Sequence, residues 1–462
     1  MADPHELAFD DLFAIDRRVR VLAGEVAAAE RAIARGEDEH PFDKPSRNVL
    51  STLASWRELA ARPVVALDEP LKAGVLRWVH AFLLARVSHA RRLDLAERRR
   101  EGDETGVGGV GYARALRGLV LGSNDGERVA AQREVVARRA AVFAAIDGRD
   151  ELVAEAGRRS VGLVGTGARA SRAHGQGEER RFEGEDACVE ALRSASEGAL
   201  AEASKRFRLD RDGVSVRPRN LAFFDGLLGR DAREGWPARH LEAWLADTFR
   251  ELLRVRRPAS ITLPAVAGAS SFVRLVGAFG GAWAEASVPA GTPFALAHEP
   301  LSFRPRVARV LFALTVAGEP FQRRALGLSG DELPAQLRAL RRSLWQAVHV
   351  EVVRAEADRR GLRAGSRERE ELVEALFLGH LEAPVAAALT APGDGFAFEV
   401  LLHGVNLATA ARDALDEDWF RNPRAGAWLE EHLGALMGPY PKLAGAEQVP
   451  RKLRRLLGEH YA

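Results

Sequence analysis

Apolar residues recur every three or four positions along most of this chain, and that spacing constrains its fold more than any other feature. Between residues 71 and 87 they fall on one side of a helical wheel, and polar residues fill the other side. The apolar positions of this stretch are Leu71, Val75, Trp78, Val79, Phe82, Leu83 and Val87. Because the same period returns through most of the sequence, we predict a mainly α fold.

Alternation of apolar and polar residues, the pattern typical of strands, is scarce. Short candidates occur around Val214 and Val216, around Ile261 and Leu263, and across 396–400. With so few candidates we expect at most a small sheet.

Two stretches rich in glycine and charge interrupt the helical pattern. They cover residues 100–111 and 164–186, and their low apolar content predicts loops, the second of them mobile. We therefore predict an N-terminal helical region at 1–165, a linker or mobile loop at 166–186, and a larger helical region at 187–462. A long loop inside one domain fits the same pattern almost as well.

Charge and cysteine content narrow the classes of function. The 67 Lys and Arg residues against 65 Asp and Glu leave a net charge of +2, too small to favour a nucleic acid or a membrane surface as partner. The single cysteine, Cys188, allows neither an intramolecular disulfide nor a multi-cysteine metal site. The first residues lack the pattern of a secretory signal, and no long uncharged apolar run occurs. We expect a soluble cytoplasmic protein.

Three short motifs point to familiar chemistry but lack parts that the chemistry needs. GVGGVG at 106–111 has the glycine spacing of a dinucleotide-binding loop, yet RRREGDET stands before it where a buried strand is required. An interhelical loop is the simpler interpretation. HELAF at 5–9 and HEPLS at 298–302 begin like a zinc-peptidase motif, but Phe9 and Ser302 occupy the position of the second histidine.

The remaining histidines of interest, His349, His380 and His403, lie in apolar helical surroundings without metal-ligand spacing. Like His5 and His298, each is interpreted most simply as a histidine satisfied by a hydrogen-bond partner or by solvent. No arrangement of serine or cysteine with histidine typical of a nucleophilic enzyme is found in the sequence.

The segment RLVGAFGGAWAEASVPAGTPFAL, residues 274–296, carries three glycines in five helical positions. It resembles the motif helix of the thimet oligopeptidase and oligoendopeptidase F family of zinc metallopeptidases, whose pattern is LLHEFGHAxH. On that comparison the two histidines fall on Gly277 and Gly281, and the glutamate that activates water falls on Ala278. An unrelated helical protein in which these glycines admit a neighbouring helix is the alternative.

Later segments resemble the same family in their order along the chain and in their pattern of apolar residues. RPRVARVLFALTV at 304–316 resembles the helix that carries the third ligand, a glutamate, but that position falls on Pro305 or Arg306. Residues 342–361 resemble the long helix that follows, and 416–436 resemble the family's C-terminal pattern. The resemblance covers about residues 215–460.

The resemblance implies a zincin-like helical metallopeptidase fold with a cleft between helical lobes. Catalytic zinc needs three protein ligands, here two imidazoles and a carboxylate. Glycine, alanine, proline and arginine supply none of them, and alanine cannot act as a general base. We therefore predict that zinc is absent, that no cofactor is bound, and that the protein is a pseudopeptidase without enzymatic activity.

A cleft without ligands is expected to bind a peptide or protein segment, with Trp283, His298, Arg306 and His349 as the cleft residues. The alternative is a structural, non-catalytic subunit that pairs with an active paralogue or another partner in a hetero-oligomer. An enzyme with a different, non-zinc mechanism is a further alternative. For the subunit hypothesis the candidate interface anchors, most of them also candidates for the core, are Trp56, Trp78, Trp236, Trp244, Trp419 and Trp428.

Overall fold

Helices make up the regular structure of the chain, as predicted. The structure is a computed structural model. It describes residues 11–35, 49–87, 186–196, 240–258, 269–298, 303–360, 366–376, 397–436 and 445–458, together with isolated positions between these ranges. Within them there is no β-strand. No helix of the described ranges combines the length and the apolar content that crossing a membrane requires.

The helices are numbered here in chain order. They are α1 (Leu12–Arg35), α2 (Leu53–Ala61), α3 (Glu69–Val87), α4 (Leu241–Thr248), α5 (Arg250–Val255), α6 (Ala269–Ala286), α7 (Phe294–Ala297), α8 (Phe303–Thr315), α9 (Glu319–Leu326), α10 (Glu332–Arg359), α11 (Arg367–Leu376), α12 (Ala397–Leu415), α13 (Ala425–Gly434) and α14 (Val449–Leu457). Short 3₁₀ turns cover Val49–Ser51, Trp419–Arg421 and Ala446–Gln448.

One strand candidate is wrong. Residues 397–400 form the first turn of α12, because apolar residues continue from there at helical spacing and are buried at Phe398, Leu402 and Val405. The other two strand candidates lie outside the described residues, as do His5, His380, the 106–111 glycine motif and nearly all of the predicted 166–186 loop.

Local sequence explains where several helices begin and end. In α9, Glu319 and Pro320 open the first turn, Arg323 stands in the last turn, and Gly327 closes the helix with a φ of +69°. Acidic residues near the N-terminus and basic residues near the C-terminus oppose the helix dipole, and glycine accepts the left-handed conformation without a Cβ clash. The sequence of α9 therefore specifies both of its ends.

The buried side chains form two main apolar clusters. The smaller one joins α1, α2 and α3 and includes Phe42, Trp56 and Phe82; it also takes in Ala295 from α7. The larger one is built from helix 186–196 and from α4 to α6, α8 to α10 and α12 to α14. Its aromatic centre includes Phe249, which stacks on Phe279 with ring centroids 4.6 Å apart.

Helix α7 links the N-terminal helices to the larger cluster. The carboxylate of Asp16 on α1 is buried and accepts hydrogen bonds from the backbone N–H groups of Phe294 (2.8 Å) and Ala295 (2.6 Å). On α3, a Cβ at Gly74 would lie 2.5 Å from the carbonyl oxygen of Ala295. These contacts hold α7 against α1 and α3 at close range, so a glycine and a carboxylate from distant parts of the sequence position one short helix.

We expect Asp16→Ala to destabilise the protein by about 2 kcal/mol, because one buried and one partly buried N–H group lose a charged acceptor. Chemical denaturation followed by far-ultraviolet circular dichroism measures the change. Asp247→Ala is the matched control, since Asp247 is exposed and pairs with exposed Arg250 one helical turn away; its effect should stay within about 0.5 kcal/mol. Equal stability losses in the two variants would contradict a capping role for Asp16.

Candidate functional site

The glycines of the family-like motif lie where α6 packs on α8. A Cβ at Gly277 would stand 3.1 Å from the carbonyl oxygen of Arg309, and one at Gly281 would stand 2.6 Å from Arg309 Nε. A Cβ at Gly280 would lie 2.5 Å from Phe312 Cγ. The distances at Gly281 and Gly280 are shorter than those that real Cβ atoms show. The absence of side chains at these positions therefore lets the two helices touch.

The two helices run antiparallel. Ser287, just after α6, lies beside Arg304 near the start of α8, with Arg304 Nη1 donating to Ser287 Oγ at 3.4 Å. Further along, Gly281 lies beside Arg309. Helix α8 is also approached closely from its other side, because Gly404 of α12 lies against Val310 and the carbonyl oxygen of Val307. Glycines on both flanks therefore set the position of α8.

Arg309 occupies the space that the two motif histidines would share. Its stem and Nε lie over Gly281, and its carbonyl oxygen lies over Gly277, while the residue as a whole remains exposed to solvent. Pro305 and Arg306, on which the glutamate of the family falls in sequence, lie about one helical turn earlier and are half-buried. The residue of α8 that faces Gly277 and Gly281 is thus Arg309, which the sequence comparison does not single out.

The residues at this junction do not suit a zinc ion. Gly277, Ala278 and Gly281 have no ligand atoms in their side chains, and the guanidinium of Arg309 repels a metal cation. Among the described residues no group of three His, Cys, Asp or Glu side chains is arranged to hold a metal.

Trp283 lies in the core rather than on an open surface. Its side chain is fully buried, and its indole Nε1 donates to the carbonyl oxygen of Leu252 at 3.0 Å. The indole is large and its N–H needs a partner when buried, so a bond to the end of α5 both anchors α6 and satisfies the donor. A peptide on the surface cannot reach this ring.

His349 is also buried, on α10. Its Nδ1 lies 2.8 Å from Ser196 Oγ, and that hydroxyl lies 2.7 Å from the carbonyl oxygen of Leu192. With the hydroxyl proton directed to the carbonyl, the imidazole donates and the serine oxygen accepts. The interpretation of His349 as a histidine satisfied by a hydrogen bond is confirmed, and the pair ties helix 186–196 to α10.

His298 is the cleft candidate that remains exposed. It follows α7, its carbonyl oxygen accepts from Trp78 Nε1 at 2.7 Å, and its ring lies 4.9 Å from that of Phe294. Partial burial of the imidazole, followed by the nearby charge of Arg304, lowers the pKa of His298. The bond from Trp78 to the His298 carbonyl oxygen holds the end of α7 against α3.

The tryptophans proposed as interface anchors make contacts within the chain. Trp56 and Trp419 are buried. Trp244 Nε1 donates to the carbonyl oxygen of Ala325 at 2.9 Å, and Trp428 stacks on His432 with centroids 3.8 Å apart. Trp236 lies outside the described residues. These contacts agree with the prediction that most of the tryptophans belong to the core.

The segments that resemble the peptidase family meet in space. Helices α6 and α8 pack together, α10 packs against α6, and Trp419 lies edge-on to Phe312 with centroids 5.3 Å apart. This proximity is also what a single helical core produces, so it leaves the family resemblance as a hypothesis. No protein-family model matches the chain, and a search of curated proteins finds no similar sequence.

Proposed function

We propose that this chain is a catalytically inactive, metallopeptidase-like helical protein that binds a peptide or protein segment without cutting it. The observation that carries the proposal is the position of Arg309 over Gly277 and Gly281. In a zinc peptidase the corresponding place holds a cation that polarises a carbonyl and activates water. A guanidinium can hydrogen-bond a carbonyl or carboxylate oxygen, but it cannot generate a metal-bound hydroxide.

The binding surface that follows from this is the solvent side of the α6–α8 junction. Arg309 and Arg274 are exposed there, on α8 and α6 respectively, while Ala278 and Arg306 are half-buried. Arg306 and Arg309 are three residues apart on one helix and therefore share a face. Ala278 is small and leaves room beside the arginines for an extended segment. Acidic side chains on that segment suit the arginines, since charge-assisted hydrogen bonds to guanidinium are among the stronger polar contacts.

This surface replaces the cleft expected from the sequence. Trp283 and His349 are buried in the core, so neither is available to a bound segment, whereas Arg306 remains a candidate. Binding is therefore proposed at the rim of the former motif rather than within it.

Two measurements on the purified protein test the proposal. Incubation with zinc followed by chromatography of a peptide mixture is expected to give no cleavage, and fluorescence anisotropy is expected to show tighter binding of short acidic peptides than of matched basic ones. Arg309→Glu should weaken acidic-peptide binding roughly tenfold or more, because an attractive contact becomes repulsive. Arg424→Glu, an exposed charge reversal at the start of α13, should leave it unchanged.

Zinc-dependent cleavage that a chelator stops would contradict the inactive state. Equal binding of acidic and basic peptides, or undiminished binding by Arg309→Glu, would instead contradict the assigned surface and leave the inactive state standing.

A further inference from the structure

The large apolar side chains that remain exposed lie in two short stretches of the N-terminal helices. Among the residues that the structure describes, they are Phe13 and Val21 of α1, exposed by 51% and 62%, and Val65 and Leu67 of the segment before α3, exposed by 65% and 91%. Covering apolar surface of this kind is favourable, and a pair of such side chains on one element offers a larger contact than a single one.

Phe13 and Val21 share the exposed face of α1 with two arginines. The order Phe13, Arg17, Arg20, Val21 follows helical spacing, so the four side chains lie on one side of α1, within about 12 Å along its axis. Arg17 Nη2 lies 3.9 Å from Asp11 Oδ2, and both of these side chains are exposed. Arg20 forms no ion pair within the described part of the chain. This face of α1 therefore combines apolar side chains with positive charge.

Val65 and Leu67 belong to a tight turn that carries the opposite charge. The backbone N–H of Asp68 donates to the carbonyl oxygen of Val65 at 2.9 Å, which closes a four-residue turn with Leu67 near its tip. Glu69 follows and is exposed. In the described ranges neither the Asp68 nor the Glu69 carboxylate forms an ion pair. The turn thus presents apolar side chains beside two carboxylates.

Other charges near the two elements leave these signs in place. Near the turn, Lys72 Nζ donates to the carbonyl oxygen of Arg62 at 2.6 Å, and Arg62 Nη1 is buried, so both cations are directed toward the chain. Among the described side chains of α1, the other exposed charged ones are Arg18, Glu30 and Arg31. These three add one net positive charge to α1.

We propose that two copies of this chain associate, with the turn at 65–69 of each copy docked on the Phe13–Val21 face of α1 in the other. The apolar side chains then cover one another, and the carboxylates of the turn face Arg17 and Arg20. A second copy fits this face because the chain itself carries an exposed segment with the apolar side chains and the charge that the face lacks.

A two-fold axis between the copies makes the same contact twice. Both elements belong to the N-terminal helices, which share one apolar cluster. Because the side chains involved are few, we expect a reversible, concentration-dependent dimer rather than an obligate one. The inference does not rest on the proposed peptide-binding surface, since it uses none of the residues of that surface.

Sedimentation velocity of the full chain over a wide range of protein concentration tests the dimer. The wild type is expected to shift from monomer to dimer as the concentration rises. Leu67→Asp and Val21→Asp should each raise the dimer dissociation constant roughly tenfold or more, because a charge replaces a covered apolar side chain. Arg424→Glu, an exposed charge reversal at the start of α13, and Arg309→Glu should leave it unchanged.

Charge reversal on both elements tests the pairing itself. The double variants Arg17→Glu with Arg20→Glu, and Asp68→Lys with Glu69→Lys, should each dimerise roughly tenfold or more weakly, because like charges then meet. Mixed together, the two double variants should form a heterodimer as tightly as the wild type pairs with itself, since opposite charges meet again in both contacts. Fluorescence-detected sedimentation with one variant labelled measures this.

The substitutions change exposed or half-buried side chains, so the variants are expected to remain folded, and circular dichroism checks this. A wild type that stays monomeric at every concentration would overturn the inference. So would wild-type dimerisation by both Leu67→Asp and Val21→Asp, or failure of the mixed charge-reversal variants to pair. A dimer that Arg309→Glu alone weakens would locate the contact at the peptide-binding surface and overturn the docking of the turn on α1.

Discussion

Replacing Gly280 by alanine is expected to destabilise the protein by about 3 kcal/mol, although alanine is the better helix former by about 1 kcal/mol. The new methyl group would lie 2.5 Å from Phe312 Cγ and 2.8 Å from Phe312 Cβ. Phe312 cannot move aside easily, because it is fully buried and packs against Phe249, Phe279 and Trp419. Urea denaturation followed by circular dichroism measures the loss.

Gly24→Ala is the matched control for this change. Gly24 also lies within a long helix, α1, but a Cβ there meets no atom within 4 Å. We expect that variant to be stabilised by about 0.5–1 kcal/mol, the ordinary difference between glycine and alanine in a helix. Similar changes in both variants would show that Gly280 is not a close-packing position, and the account of α6 against α8 would fail.

Trp283→Ala is expected to cost about 4 kcal/mol, the largest effect predicted for this chain, because it leaves a large cavity in the main apolar cluster. It also removes the 3.0 Å hydrogen bond from the indole to the carbonyl oxygen of Leu252, which keeps only the backbone N–H of Arg256 as donor. Trp283→Phe retains most of the apolar volume and should lose about half as much. Thermal and urea unfolding, both followed by circular dichroism, measure the differences.

A tryptophan nearer the surface supplies the comparison. Trp428 is half-buried and stacks on His432, so Trp428→Ala should cost clearly less, about 1 kcal/mol. If the two alanine variants lost equal stability, Trp283 would not be a core residue. The prediction also bears on peptide binding, since any loss of binding by Trp283→Ala would report a weakened fold rather than a lost contact.

Some of the architecture could be predicted from the sequence because it depends on local spacing. The apolar period of α3 predicts a helix with one buried face, and Leu71, Val75 and Val79 are indeed buried. Glycines in a helical pattern indicate close approach of another helix, and Gly277, Gly280 and Gly281 lie where α8 touches α6. In both cases the relevant information lies within a few residues.

The site predictions were less successful because they depended on partners far away in sequence. The sequence predicts Trp283 in a cleft, but the side chain is buried in the core, where its indole donates to the carbonyl oxygen of Leu252. The sequence comparison assigns the third-ligand position to Pro305 or Arg306, and it does not indicate that the side chain over Gly281 belongs to Arg309. The residue of α8 that lies over Gly281 depends on the position of α8 along the axis of α6. The glycine contacts between the two helices determine that position, rather than the residues of α8 alone.

Periodicity and side-chain chemistry are local properties, so the sequence alone predicts that this chain is mainly helical and that the residues aligned with the zinc motif supply no metal ligand. Which residue faces Gly277 and Gly281 depends instead on the packing of α8 against α6. Arg309 over Gly281 and Asp16 capping α7 each join residues from separate elements. Such juxtapositions arise from helix packing, in which long-range contacts select among arrangements that the local sequence leaves open.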